Sequence, residues 1–414
     1  MRALFESYHG PLFSVRMWDG WQWMPSQDGK PVCTIDVETP RALAALVAGP
    51  NEITLGEAFI HKELDIEGDI FAVFQVAEHL LSRPHRLKQQ LMEALARTIA
   101  GAGRWLKDGA RHSMARDRAS ISYHYDQPVE FFQPWLGESL AYSCAYFRSA
   151  GNSLDVAQAQ KLEMICRKLR LTAGERFLDV GCGWGSLVLR AAGSHFARAL
   201  GITLSKEQAA VTRRRIDKAG LGGSCAVELC DYREYGRSGE SFDKIASIGM
   251  YEHVGLKNLS RYFRIAHDLL KPGGVFLNHG IARFPCSDAR KDSFVEQYVF
   301  PDGKLVTLTE TLEAAQAAGL EVRDVENLRD HYELTLREWV NQLRQNEGEV
   351  RKYVDEETYR IWLLYMAGSA AAFSRGDIGI YQVLLSRPDH GKSRLPLVRE
   401  DWYSAPPPDQ AIGN

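Results

Sequence analysis

The stretch Arg176-Phe-Leu-Asp-Val-Gly-Cys-Gly-Trp-Gly185 constrains the fold of this chain more than any other. Phe177 to Val180 is a short apolar run that reads as a buried strand. Gly181, Gly183 and Gly185 strip side chains from the turn that follows, so a ligand can approach the backbone. Ser186 to Ala192 reads as a helix whose first N–H groups face the same cleft. Strand, glycine turn and helix in that order form the first βα unit of a doubly wound sheet. A dinucleotide fingerprint would need a third glycine at position 186, which is Ser here.

The βα alternation continues downstream as a parallel sheet requires. Strands are expected at Ala197–Thr203, Cys225–Cys230, Phe242–Ile248, Gly274–His279, Glu321–Val325 and Ile378–Ser386. Helices are expected at Leu154–Leu171, Lys206–Ala219, Leu259–Leu270 with its Lys271-Pro-Gly-Gly274 stop, and Thr309–Ala318. Tyr332 to Phe373 reads as a helical cap, and the Pro406-Pro-Pro408 tail as disordered. The reading is α/β, with four stretches: a small N-terminal α/β domain (1–82), a linker (83–122), the doubly wound domain (123–390) and a flexible tail (391–414).

In the N-terminal stretch, Ile53 to Gly68 reads as a helix then a strand, and Asp69 to Leu81 as an amphipathic helix. The linker holds nine Lys/Arg against three acids between Arg83 and Arg118, with Leu87, Leu91, Leu95 and Ile99 on one helical face. That pattern suits either an anionic membrane surface or a solvated connection. From Tyr123 to Phe147 eight residues are aromatic, which serves a core or a wall that tolerates a cation. A net charge of −3 gives no general attraction to nucleic acid. No stretch approaches the roughly 18 apolar residues of a membrane span, so a soluble cytoplasmic protein is expected. Seven cysteines without a Cys-x-x-Cys indicate neither a disulfide framework nor a metal site.

Ligands of open α/β sheets bind beyond the carboxyl ends of the strands. The glycine turn, read as acidic-x-Gly-x-Gly-x-Gly with Asp179 leading, resembles the cofactor loop of S-adenosylmethionine (SAM)-dependent methyltransferases. Thr203 and Gln208 then stand where they can hydrogen-bond a ribose or adenine, without the acid many methyltransferases carry there. Asp231 and Tyr232 are placed to accept an adenine amine and flank the base. Glu252, His253 and the run Asn278-His279-Gly280-Ile281 end the fourth and fifth strands near the reacting end of the cofactor. Glu252 could equally cap a helix, and His279 could be a satisfied core residue.

Five further segments carry a wider resemblance: Leu55-Gly-Glu-Ala-Phe-Ile60, Tyr142-Ser-Cys-Ala-Tyr-Phe147, Thr203-Leu-Ser-Lys-Glu-Gln208, Ser247-Ile-Gly-Met-Tyr-Glu-His-Val-Gly255 and Tyr381-Gln-Val-Leu-Leu-Ser-Arg387. Together with the glycine turn they resemble the cyclopropane fatty acid synthase family, from about Ile53 to Arg387. That resemblance implies a Rossmann-like seven-stranded methyltransferase sheet, a lipid-engaging N-terminal domain, and methylene addition across a cis double bond of a phospholipid acyl chain. It implies SAM contacts at Tyr142, Ser143, 177–185 including Asp179, Gly181, Gly183 and Gly185, Thr203, Leu204, Gln208, Asp231 and Tyr232. It also implies a bicarbonate ion held by Cys144, Glu252, His279, the backbone at Ile281, and Tyr332. The expected partners are unsaturated phospholipids at the membrane surface, approached peripherally; a homodimer is left open. Where the family carries a small polar residue and Asn or Asp after Tyr-Asp, this chain has Tyr125-Asp126-Gln-Pro-Val-Glu130, which bears on the acyl chain or head group accepted.

The chemistry agrees. An alkene methylated by a sulfonium becomes a carbocation, so water must be excluded and a positioned base must remove one proton before the ring closes. A covalent role for Cys144 is the rival idea, but alkyl transfer to an alkene needs no thioether. The alternatives are a related enzyme making methyl-branched or methylene lipids, one methylating a small amine, and a non-catalytic lipid-binding relative.

Overall fold

The computed structural model describes residues 5–26, 28–47, 51–81, 127–285, 293–300 and 305–403. The basic stretch 83–118, the linker 83–122, Tyr123, Tyr125, Asp126 and Cys286 lie outside them. By packing, the chain falls into two units: 1–136 with 286–303 and 332–377, and 137–285 with 304–331 and 378–414.

In the first unit, β1 (Phe13–Met17), β2 (Gln22–Trp23), β3 (Cys33–Val37) and β4 (Leu64–Gly68) form a sheet in the order β2-β1-β3-β4. β1 alternates buried and half-buried residues, as a one-faced sheet requires. The helix Glu52–Ile60 starts from a capping box between Asn51 and Thr54. Gly56 lets that helix approach Phe294, because a Cβ there would stand 2.5 Å from the ring. The segment expected as a cap on the 123–390 domain groups by packing with this unit. Its helix Glu356–Arg375 sets Arg360 over the Phe59 ring and against Asp65, and Arg344 of the helix Arg329–Gln345 donates to the Gly68 carbonyl. Phe131, Phe132 and Trp135 are fully buried beside Trp362, so in these three the aromatic stretch is core.

The second unit is the doubly wound sheet: β5 (Arg176–Val180), β6 (Arg198–Thr203), β7 (Cys225–Leu229), β8 (Phe242–Ile248), β9 (Leu270–Arg283), β10 (Glu321–Asn327) and β11 (Ile378–Ser386). Their order is β10-β11-β9-β8-β5-β6-β7, with β11 antiparallel to both its neighbours and β5 to β9 parallel. Strand residues divide between two cores. Phe177, Ala246, Val275, Leu277 and Leu384 face the helices Leu154–Leu169 and Ser186–His195, while Leu178, Ile245, Phe276, Val383 and Leu385 face Leu259–Leu269 and Leu308–Ala317. Burial on both faces is why these strands read as continuous apolar runs. Since β6 follows β5 on one side and β8 lies on the other, the strand order reverses at β5, which opens a crevice at its carboxyl end.

Two expectations are corrected here. β9 does not stop at His279 but runs to Arg283, because β11 supplies ladder partners from Val275 to Arg283 after β8 has ended opposite His279. The tail is not loose from 391. Trp402 is buried in the core cluster, with Arg170 5.2 Å from its ring centre and paired with Asp401. Residues 404–414 lie outside the described ones.

Candidate active site

The glycine turn at the end of β5 is built for three separate reasons. All three glycines have positive φ. At Gly185 a Cβ would stand 2.5 Å from Thr212, and at Gly181 it would stand 2.8 Å from Met250, so both sites are closed by the chain itself. At Gly183, apart from the glycine and its two chain neighbours, no atom of the described residues lies within 4 Å of the Cβ position. A ligand can therefore reach the backbone there. Beside it Asp179 is buried, its Oδ1 has no hydrogen-bond partner among the described residues, and burial pushes its carboxyl up to about 7 against the pull of Lys161. An orphaned carboxylate oxygen beside open backbone fits a ligand with a cationic or hydrogen-bond-donating end.

Around this turn, Ser205 caps the helix Lys206–Lys218, and the Thr203 hydroxyl donates to Gln208 Oε1 at 2.8 Å. Leu204 is half-buried between them. Asp231 is engaged differently from the expectation: both its oxygens accept bonds from Arg233, at 2.6 to 2.9 Å, and an adenine amine would have to share them. Tyr232 stands edge-on to Tyr262.

The segment Tyr142-Ser-Cys-Ala-Tyr-Phe147 is held by residues the sequence reading missed. Gln158 donates to the carbonyls of Ala141 and Ser143, and Lys161 donates to Ser143 Oγ at 2.9 Å. Burial lowers the Lys161 ammonium to about 8. The available signal was one of spacing, since Gln158, Lys161 and Lys168 interrupt an otherwise apolar buried face of the helix Leu154–Leu169. Cys144 is fully buried and its thiol donates to the Ala145 and Leu328 carbonyls, at 3.2 and 3.8 Å. His331 stacks on Tyr146 and accepts from the Phe147 N–H.

At the extended end of β9 the structure ties Glu252 to Ile281, two residues beyond His279 on the same strand. Gly280 leaves room for the Tyr251 ring, which would stand 2.0 Å from a Cβ there, and the Tyr251 hydroxyl donates to the Ile281 carbonyl. The Ile281 backbone, expected to help hold an ion, donates its N–H to Glu252 Oε1 at 2.8 Å. Glu252 is thereby aimed while its Oε2 stays buried without a partner among the described residues. Burial pushes its carboxyl up to about 7, opposed by the Ile281 bond. His279 is fully buried, its Nε2 likewise has no partner among the described residues, and burial holds the ring well below its ordinary pKa. His253 follows Glu252 in the same 3-10 turn. Tyr332 belongs to the other unit, where its ring packs against Trp339 and Phe373.

A seven-stranded sheet of this order, with open backbone and an orphaned acid at its switch point, defines a Rossmann-like methyltransferase. The sequence model of the mycolic acid cyclopropane synthetase family matches residues 112–383, and a domain family of unknown function matches 1–82. The chain is 40% identical to a probable fatty acid methyltransferase of Pseudomonas putida, over 96% of this chain and 98% of that one. It is 35% identical to the cyclopropane-fatty-acyl-phospholipid synthase of Escherichia coli K12, covering 73% and 74%. A crystal structure of a mycolic acid cyclopropane synthase complexed with SAH and CTAB superposes with a TM-score of 0.61, at 32% identity, over 65% of this chain and 97% of that one. The chain therefore belongs to the cyclopropane synthase family and is a SAM-dependent methyltransferase.

Proposed function

We propose that this enzyme methylates a cis double bond of an unsaturated phospholipid acyl chain and closes a cyclopropane ring, with a bicarbonate ion taking the proton. The observation that carries this reading is the pair of buried, unpartnered polar atoms, Glu252 Oε2 and His279 Nε2, on segments joined through the Ile281 N–H. Similarity to the probable fatty acid methyltransferase of Pseudomonas putida and the cyclopropane-fatty-acyl-phospholipid synthase of Escherichia coli supports a lipid substrate.

SAM would rest on the Gly183 backbone, Asp179, Tyr142, Ser143, Thr203, Leu204, Gln208 and Tyr232, with Gly181, Gly185 and Asp231 shaping the cradle. Once bound, it supplies an electrophilic methyl group. The rest falls to the chain's own residues. Glu252, held by the Ile281 amide, orients the ion and His279 meets it from β9, while Cys144, whose thiol donates to main-chain carbonyls, joins the set through the family pattern alone. A carboxyl titrating near neutrality can share a proton with the ion. Tyr332 enters this reading through its match to the family pattern and is tested separately by Tyr332→Phe. The lipid would be met at the membrane surface by a peripherally bound enzyme.

A second reading, a methyl-branched or methylene product, is compatible with similarity to a probable fatty acid methyltransferase. The test is to incubate the enzyme with SAM and vesicles of unsaturated phospholipid. A gain of one CH2 by mass spectrometry reports transfer, and proton NMR separates a ring from an exocyclic methylene. No gain on any lipid, or full ring formation after bicarbonate is stripped, would overturn the proposal.

A further inference from the structure

His279 is not an isolated ring. In the register of the sheet Glu326 of β10 stands opposite Gln382 of β11, and Gln382 stands opposite His279 of β9, so the three side chains share one face of three adjacent strands. Lys168, from the helix packed on that face, reaches down between them. Its ammonium donates to Glu326 and, at 2.7 Å, to Gln382 Oε1. Gln382 Nε2 lies 3.3 Å from His279 Nδ1. Lys168, Gln382 and His279 are each at most 1% exposed, and the Trp402 ring stands 5.7 Å from the Lys168 ammonium.

The chemistry of each group fixes the next. An ammonium can only donate, so the Gln382 atom facing Lys168 is the carbonyl oxygen and the atom facing His279 is the NH2. The NH2 can only donate, so His279 Nδ1 must accept. A neutral imidazole that accepts at Nδ1 carries its proton on Nε2. An imidazolium would turn an Nδ1–H against that NH2, and Lys161 and Lys168 also oppose a second positive charge. We propose that Lys168 and Gln382 are positioning residues that lock His279 as the neutral Nε2–H tautomer, so that it presents a hydrogen-bond donor to an anion and does not itself take the proton. This rests on the proposed site for its functional meaning, but the tautomer does not depend on that reading.

The experiment is nitrogen NMR on the full-length enzyme labelled with 15N-histidine, the His279 signals being identified by their loss in His279→Gln. The expected wild-type spectrum has Nε2 protonated and Nδ1 bare. A protonated Nδ1, or averaging between tautomers, overturns the proposal without any variant needing to fold. Gln382→Glu, which puts an acceptor against Nδ1, should move a proton there and lower methyl transfer by about 10-fold or more, with SAM affinity retained. Lys168→Met frees the amide to turn and should mix the tautomers, whereas Lys168→Arg keeps the donor and should restore the wild-type spectrum. A wild-type spectrum in Gln382→Glu would also sink the inference. The expected tautomer combined with no bicarbonate dependence would instead remove only the proposed function.

Discussion

At the residue scale, the three turn glycines are not equivalent, and this makes a sharp prediction. Gly183 stands at φ +54° with open space around its Cβ position. Gly183→Val should therefore abolish SAM binding by filling the approach to the backbone and straining the turn; calorimetry showing unchanged affinity would reject the assignment. Glu252 gives a second prediction, in two parts. Glu252→Gln should leave SAM affinity near wild type and reduce product formation by about 100-fold or more, measured in the vesicle assay. The stability part follows from its carboxyl, raised from 4.5 to about 7. The fold favours the neutral form, so the wild type holds this contribution fully below the ordinary value and loses it as pH rises through about 7. The permanently neutral variant should gain on the wild type between about pH 5 and pH 8, by at most about 3 kcal/mol. Denaturant titrations with a constant difference between the two would contradict the burial argument.

At the scale of elements, the helix Leu154–Leu169 serves as the back plate of the site. Its apolar positions fill the core, while Gln158 and Lys161 hold the segment 141–143 and Lys168 reaches the β10–β11–β9 face. Lys161→Met keeps the length of the side chain and removes the donor to Ser143 Oγ. SAM affinity should weaken by about tenfold, the scale of one hydrogen bond to a charged group. If isothermal titration gives the wild-type dissociation constant, Ser143 is held in place by the Gln158 bonds alone. The extension of β9 beyond β8 is the second device at this scale. It exists because β11 runs antiparallel and completes the hydrogen bonds of residues that β8 no longer reaches.

At the scale of the whole molecule, the prediction concerns where the enzyme meets its lipid. Among the described residues no helix is long and apolar enough to cross a membrane. We propose that the basic stretch 83–118 makes a peripheral contact with an anionic membrane surface. Binding to anionic vesicles should weaken as salt rises and as its Arg and Lys are neutralised, because surface charges are screened within about 10 Å at 0.1 M salt. Salt-independent sedimentation with vesicles would count against this.

The sequence alone determined the strand–glycine–helix unit and the βα succession. These are written locally, in apolar runs buried on both faces and in a turn that needs positive φ at Gly181, Gly183 and Gly185. Only the tertiary structure decided the rest, because it depends on which distant segments become neighbours. The Ile281 amide went to Glu252, and Asp231 to Arg233, since a buried polar group takes whichever partner the fold brings within reach. Gln382 and Lys168 looked like ordinary strand and helix residues until the register of β9, β11 and β10 set them in line with His279. Hydrogen-bond direction, and with it the chemistry a histidine can perform, is a property of that line of contacts and of no single residue in it.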